Sequence, residues 1–269
     1  PAPNSYVDLY NLYKFIWPAH NIIGFSIPQL ANMSKHEDDS RIDELISRIA
    51  PFYIRIKKSD LGLPEPQFLP PVNVQMSSVQ AAIYDAIARI AVGRLEDGMS
   101  NAANRLSAII RLRQAATNPA LLNRGLEDYY DQFDEPVNRV ELDSSLNVSD
   151  EIMELIRTYK ESEIPNKFVK VGEVAKSIIS NGGKLVIWCE FIGTCDDLSD
   201  YLKEIGIDNR ILYGKTDYLD REVIINEFTD KEKPSPFNVV IANPHAVGES
   251  ISLHATCHNA LYLEQSFNA

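Results

Sequence analysis

Several things are scarce in this sequence of 269 residues, and each scarcity removes a class of protein. It holds three cysteines, Cys189, Cys195 and Cys257, odd in number and irregularly spaced. A disulfide framework is therefore not expected, and a reducing cytosol fits better. No apolar run approaches the length needed to span a bilayer. The opening "PAPNSYVDLYNLYKFIWP" lacks the basic start and small-residue cleavage site of a secretory signal. Positive charge is also in deficit: 26 Lys and Arg stand against 38 Asp and Glu, a formal net charge of -12. Broad attraction to nucleic acid depends on neutralising phosphates with cations, so a nonspecific polyanion binder is disfavoured. Much of the acidic excess lies between Glu127 and Glu163, which reads as a solvated or mobile insertion. Any DNA-facing surface must lie elsewhere. Because the chain begins at proline without a methionine, it reads as a fragment or a processed product.

One motif is nearly present. "ILYGKTD", residues 211–217, ends in the Gly-Lys-Thr of a phosphate loop, yet the first glycine of G-x-x-x-x-G-K-[ST] is Asn209 here. That glycine opens the wide turn whose amides surround phosphates, and residues 209–213 read instead as a strand. A true phosphate loop is not expected.

What is present falls into two textures. In "SSVQAAIYDAIARIAVGRL", Val79, Ala82, Ile83, Ala86, Ile87, Ile90 and Ala91 recur at helical spacing behind a Ser77/Gln80 capping box. A second helix runs through "NAANRLSAIIRLRQAATNPALL" and stops near Asn118-Pro119, since proline disfavours helix in the residue before it. After about residue 166 helices alternate with short apolar strands: "KVGEVAKSIIS", "KLVIWCEF", a helix through Leu198 and Leu202 with Thr194 and Asp197 as caps, "RILY", "YLDREVIINEFTD", "NVVIAN" and "NALYLEQ". Such alternation implies a parallel sheet with right-handed crossovers, whose ligands sit at the carboxyl ends of the strands. The candidates there are Glu190 and Phe191, Tyr213 to Thr216, Asn243 to Ser250, and Glu264 to Asn268.

Order and spacing then resemble a known family. "LRQAATNPALL", Leu112 to Leu122, matches L-R-Q-x-x-x-x-P-x-L-L of the Swi/Snf-like ATPases, DNA translocases of helicase superfamily two. "PAPN" resembles the end of their G-T-P-x-x-N stretch, and "APFYIRIKKSDLGLPEP" their P-F-x-L-R-R segment with Ile56 for the second arginine. "KLVIWCEF" is similar to the fourth motif. "YGKTDYLDREVIINEF" resembles G-x-T-x-x-x-x-R-x-x-x-x-x-F through Gly214, Thr216, Arg221 and Phe228, with one residue more between the last two. "IANPHAVGESISL" stands in place of the fifth motif, with Val247, Ser250 and Ser252 where the family has Gly, Gly and Asn. "YLEQSFNA" is similar to D-x-x-W-N-P, with Glu264, Phe267 and Ala269 substituting.

The resemblance implies an α/β fold, a RecA-like parallel sheet flanked by helices and preceded by a mainly helical subdomain. It divides the chain into the end of a first motor lobe and linker (1–24), a helical subdomain with the acidic insertion (25–165) and a second RecA-like lobe (166–269). It implies the carboxy-terminal lobe of an ATP-dependent double-stranded DNA translocase, partnered by DNA and by a first RecA-like lobe, with no membrane. The setting would be cytoplasmic, or nucleoid-associated in a bacterium. ATP and Mg would be bound mainly by the first lobe, so these residues alone would be inactive and hold no catalytic residue. Tyr213, Gly214, Lys215, Thr216 and Asn243 would meet DNA, while Gly248 and Glu249 would line the ATP cleft.

Plainer readings stand beside these. Lys215 and Thr216 could form a solvated strand-to-helix turn with Thr216 or Asp217 as an N-cap. Arg111 and Arg113 could be helix-surface arginines rather than DNA or motor contacts. Gly248 and Glu249 could be ordinary turn residues. His254, Cys257 and His258, with His245, lack the paired spacing of structural zinc, so no metal is expected. The apolar face of Tyr6 to Trp17 has no obvious partner in this chain and would belong with the first lobe. A non-catalytic binding module descended from such a lobe is the alternative function, and an unrelated nucleotide- or sugar-binding α/β enzyme a third.

Overall fold

The computed structural model describes residues 5–36, 38–54, 60, 65–96, 102–124, 147–247 and 251–264. It divides into two compact units, residues 1–71 and 72–269. The family resemblance implies boundaries at 24 and 165. Pro1, Asn4, Ile56, Gly248, Glu249, Ser250, Phe267, Ala269 and most of the acidic stretch lie outside the described residues.

The first unit is helical, with α1 (Tyr6–Ile16), α2 (Ile27–Met33) and α3 (Arg41–Ile49), followed by a 3-10 turn at Ala50–Phe52. Ser5 caps α1 by accepting from Val7 N at 3.1 Å, and Asp8 reaches back to Ser5 N at 3.3 Å. Tyr13, Ile23, Leu30, Met33, Leu45 and Ile49 make its core, with Trp17 lying between the rings of Tyr13 and Phe52. This corrects the expectation that Tyr6 to Trp17 lacks a partner. The inner face of α1 is packed inside its own unit, while Leu12, Phe15 and Ile16 remain exposed on the other side.

The second unit begins with α4 (Ser78–Glu96) and α5 (Ala102–Thr117), a 3-10 turn at Pro119–Asn123 and α6 (Asp150–Ser162). Ile83, Ile87, Ala115, Leu122, Ile156 and Tyr159 form the core these elements share. The last part of the acidic stretch is therefore not a solvated or mobile insertion. Ile152, Leu155, Ile156 and Tyr159 fall on one face of α6 and close this core, leaving the acidic residues outside. Ser77 caps α4 by accepting from Gln80 N at 3.1 Å, but the expected reciprocal arm is missing. The Gln80 amide instead donates to Ala115 O at 3.0 Å, fastening α4 to α5.

Next come α7 (Asn166–Ser180), β1 (Leu185–Trp188), α8 (Ile192–Glu204), β2 (Asn209–Leu212), α9 (Tyr218–Thr229), β3 (Val239–Ala242), α10 (Pro244–Val247) and β4 (Asn259–Tyr262). The four strands are parallel in the order β2-β3-β1-β4, with Leu185 opposite both Val239 and Asn259, and Asn209 opposite Val239. Alternate side chains serve opposite faces. Leu185, Ile187, Val239 and Ile241 join Phe168, Val171, Leu198 and Leu202 of α7 and α8, while Val186, Val240 and Ala242 join Phe228 of α9. Burial on both faces explains the unbroken apolar runs "LVIW" and "VVIA". This is the RecA-like sheet flanked by helices, preceded by helical structure.

Candidate nucleic-acid interface at the carboxyl edge of the sheet

The strand ends carry three segments: Cys189 to Phe191 after β1, Tyr213 to Asp217 after β2, and Asn243 to Val247 after β3. After β2 the chain makes a tight turn. Thr216 N donates to Tyr213 O at 3.0 Å, and the Thr216 hydroxyl accepts from Tyr213 N at 3.2 Å while giving its proton to Ile211 O at 3.1 Å. Two backbone amides thus turn inward, which leaves no wide ring of donors for a phosphate cradle. Asp217 then caps α9, accepting from Leu219 N at 2.9 Å. A carboxylate thereby occupies the helix N-terminus where a phosphate would otherwise be stabilised.

Lys215 and Gly214 are exposed at the tip of this turn. A Cβ on Gly214 would meet no atom of the chain within 4 Å, so the chain itself does not require glycine there. Tyr213 is less available. Its ring packs against the α7/α8 side of the core, and burial, then Asp196, pushes its hydroxyl up to about 12. Its carbonyl faces the guanidinium of Arg221, whose Nη2 donates at 3.3 Å.

Asn243 is placed differently from expectation. It is 1 % exposed. Its amide donates to Glu190 O at 2.7 Å and Cys189 O at 3.3 Å, and its carbonyl oxygen accepts from His245 N at 3.0 Å. With the side chain spent on tying β3 to β1, Asn243 shapes the edge rather than presenting a group to a ligand.

Glu190 is the hub of this edge. Its Oε1 lies 3.1 Å from His245 Nε2 and 3.8 Å from Arg113 Nη1. Its backbone N–H, with that of Phe191 and the Thr194 hydroxyl, converges on the buried carboxylate of Glu264 at 2.8, 3.0 and 3.0 Å. Burial raises Glu264 to about 7 despite these donors and the nearby Lys167 ammonium. Thr194 and Asp197 are therefore not caps. α8 starts two residues before Thr194, behind Phe191, and its first turn is met by a carboxylate from beyond β4.

Asp197 instead joins the helical part to the sheet, accepting from Asn118 Nδ2 at 2.8 Å and Lys160 Nζ at 2.5 Å, with Arg124 Nη2 at 3.5 Å. Sequence spacing assigns it a local role, and no sequence feature points to Asn118, 79 residues away. The two arginines of this part differ, Arg111 being buried while Arg113 keeps 22% of its side chain exposed. Arg111 is buried, bonded to Gln114 and to Arg124 O, and burial lowers it to about 10. Arg113 lies over the Phe191 ring at 5.4 Å. His254 contacts Ser252, and Cys257 donates to Asn259 O, so the histidine and cysteine considered for zinc have separate partners.

No family model matches the chain. Among curated proteins it is similar to an uncharacterized ATP-dependent helicase of Mycoplasma genitalium, 22% identical over 258 residues, which cover 95% of this chain and 21% of that protein. It is also similar to human chromodomain-helicase-DNA-binding protein 8, 23% identical over 226 residues, covering 81% of this chain and 8% of that protein. The chain thus spans about a fifth or less of these relatives. Among solved structures, the carboxy-terminal domain of a Sulfolobus solfataricus SWI2/SNF2 ATPase superposes with a TM-score of 0.50 at 20% identity, covering 73% of this chain and 72% of that one. The carboxy-terminal part of the Fun30 ATPase domain does likewise, at 0.50 and 20%, covering 74% and 76%. The chain thus shares the fold of the carboxy-terminal domains of SWI2/SNF2 ATPases, and its sequence is similar to ATP-dependent helicases.

The described strand ends are taken up largely by contacts within the chain. The 213–216 turn is closed, the α9 N-terminus holds its own carboxylate, and no group of three acidic, His or Cys side chains suited to a metal is present among them. What the edge offers is an exposed lysine on a rigid turn.

Proposed function

We propose that this chain is the second lobe of an ATP-dependent double-stranded DNA translocase, which closes on a first lobe of the same protein around ATP and Mg and moves along the duplex. The observation that carries this reading is the placement of Gly214 and Lys215, exposed at the carboxyl edge of a RecA-like sheet on a turn braced from inside. There a lysine can meet a DNA phosphate while glycine lets the backbone come close. Tyr213 and Thr216 would form the frame of the contact, and Asn243 would hold the neighbouring strand end. Gly248 and Glu249 remain candidates for the nucleotide side.

The net charge of -12 and the altered fifth motif favour a second reading, a DNA- or protein-binding module without motor activity. Lys215→Ala in the protein at its full natural length tests the phosphate contact. Affinity for duplex DNA should fall about equally for all sequences, and the magnitude of the log-log salt slope should drop by roughly one. An unchanged slope removes Lys215 from the interface. DNA binding without DNA-stimulated ATP hydrolysis in the unsubstituted protein would favour the binding module.

A further inference from the structure

Arg221 lies one turn into α9, and its guanidinium bridges two loops that the sheet sets side by side. Nη2 donates to Tyr213 O at 3.3 Å, at the base of the 213–216 turn, and Nη1 donates to Ala246 O at 3.4 Å, in the segment after β3. Nε is buried without a hydrogen-bond partner, so the group is held by these two carbonyls rather than by a carboxylate.

Both loops are otherwise anchored on their far sides. Thr216 and its hydroxyl close the first turn, while Asn243 and the His245–Glu190 contact fasten the second. Arg221 joins them from α9. Its fork of donors can hold two carbonyls at once, where a lysine ammonium on a flexible stem cannot hold both in fixed geometry.

We infer that Arg221 is a positioning residue for the DNA-facing turn: it fixes Tyr213 to Lys215 against the segment 243–247 and touches no phosphate itself. The inference rests on the proposed DNA contact of Lys215, but the bridge can be tested without DNA. In the protein at its full natural length, backbone amide exchange is compared for the unsubstituted form, Arg221→Gln and Arg221→Lys. Faster exchange should appear in both 213–216 and 244–247 for Arg221→Gln, and in at least one of them for Arg221→Lys, while β1 and β3 keep their protection. No change in either loop, or a uniform rise across the whole sheet, overturns the bridge.

DNA titrations at several salt concentrations supply the second arm. Arg221→Gln should weaken duplex binding on the order of 3- to 10-fold with an unchanged salt slope, because a displaced lysine still releases its counterion. A slope lowered by about one, like that expected for Lys215→Ala, would make Arg221 a phosphate ligand and refute the positioning role. If the unsubstituted protein fails to bind DNA, the translocase reading falls, and the exchange data still decide whether the bridge exists.

Discussion

Replacing Asp197 separates hydrogen bonding from charge at the joint between the helical part and the sheet. In Asp197→Ala, the Asn118 amide loses its 2.8 Å acceptor in a buried setting, which costs about 1–3 kcal/mol for an unsatisfied donor. The ion pairs add less. Lys160 and Arg124 keep 58% and 37% of their side chains exposed, so each is worth about 0.2–1 kcal/mol after solvent screening. A total loss of about 2–4 kcal/mol is expected, most of it from Asn118. Asp197→Asn can keep an acceptor oxygen for Asn118 while losing both pairs, so it should cost about 0.4–2 kcal/mol, less than Asp197→Ala. Urea unfolding followed by circular dichroism, at low and high salt, measures both variants. Both costs should shrink with salt by about the same amount, leaving Asp197→Ala the costlier by the salt-insensitive share of Asn118. Equal losses for the two variants, both falling with salt, would refute the assignment to Asn118 and shift the weight to Lys160.

Two further substitutions probe the same lobe. A Cβ at Gly193 would lie 2.5 Å from Leu121 Cδ2 and 2.2 Å from Arg124 Nη1. Arg124 can swing aside but the buried Leu121 cannot, so Gly193→Ala should destabilise by about 1–2 kcal/mol in a melting experiment, overpacking outweighing alanine's better helix propensity; a stabilised variant would show that 3-10 turn and helix yield easily. Glu264 holds its proton to about 7 in the folded state against 4.5 for an unperturbed glutamate, so folding binds a proton between those values and stability must fall as pH rises through that window. The loss is on the order of 3 kcal/mol, and Glu264→Gln should flatten the stability profile between about pH 5 and 7; an unchanged slope in the variant would assign it to another group.

The elements that sequence revealed best are those whose signal is local. "LVIW" and "VVIA" are apolar on both faces because both faces are covered, and the helices through Ile83 and Val171 show a clear apolar stripe. What sequence could not reveal depends on distant partners. Thr194 and Asp197 have the chemistry of caps, but Glu264, 70 residues from Thr194, takes the Thr194 hydroxyl, and Asn118, 79 residues from Asp197, claims that carboxylate. Gln80 fits a capping box until α5 offers it the Ala115 carbonyl. At the candidate site, the exposure of Lys215 was legible in the turn residues around it. The burial of Asn243 was not, since a polar residue at a strand end looks the same whether it serves a ligand or a neighbouring strand.

The carboxylate of Glu264 also sets a rule for cutting or grafting this lobe. It follows directly on β4 and supplies the acceptor for donors at residues 190, 191 and 194, at the opposite end of the lobe's sequence. A polypeptide ended after Tyr262 would retain every strand of the sheet described here and still lose the acceptor that ties the segment leading into α8 to the hydroxyl in its first turn. Chimeras that exchange this lobe between proteins should therefore take their carboxyl junction beyond residue 264, or bring an acidic residue of their own to that point.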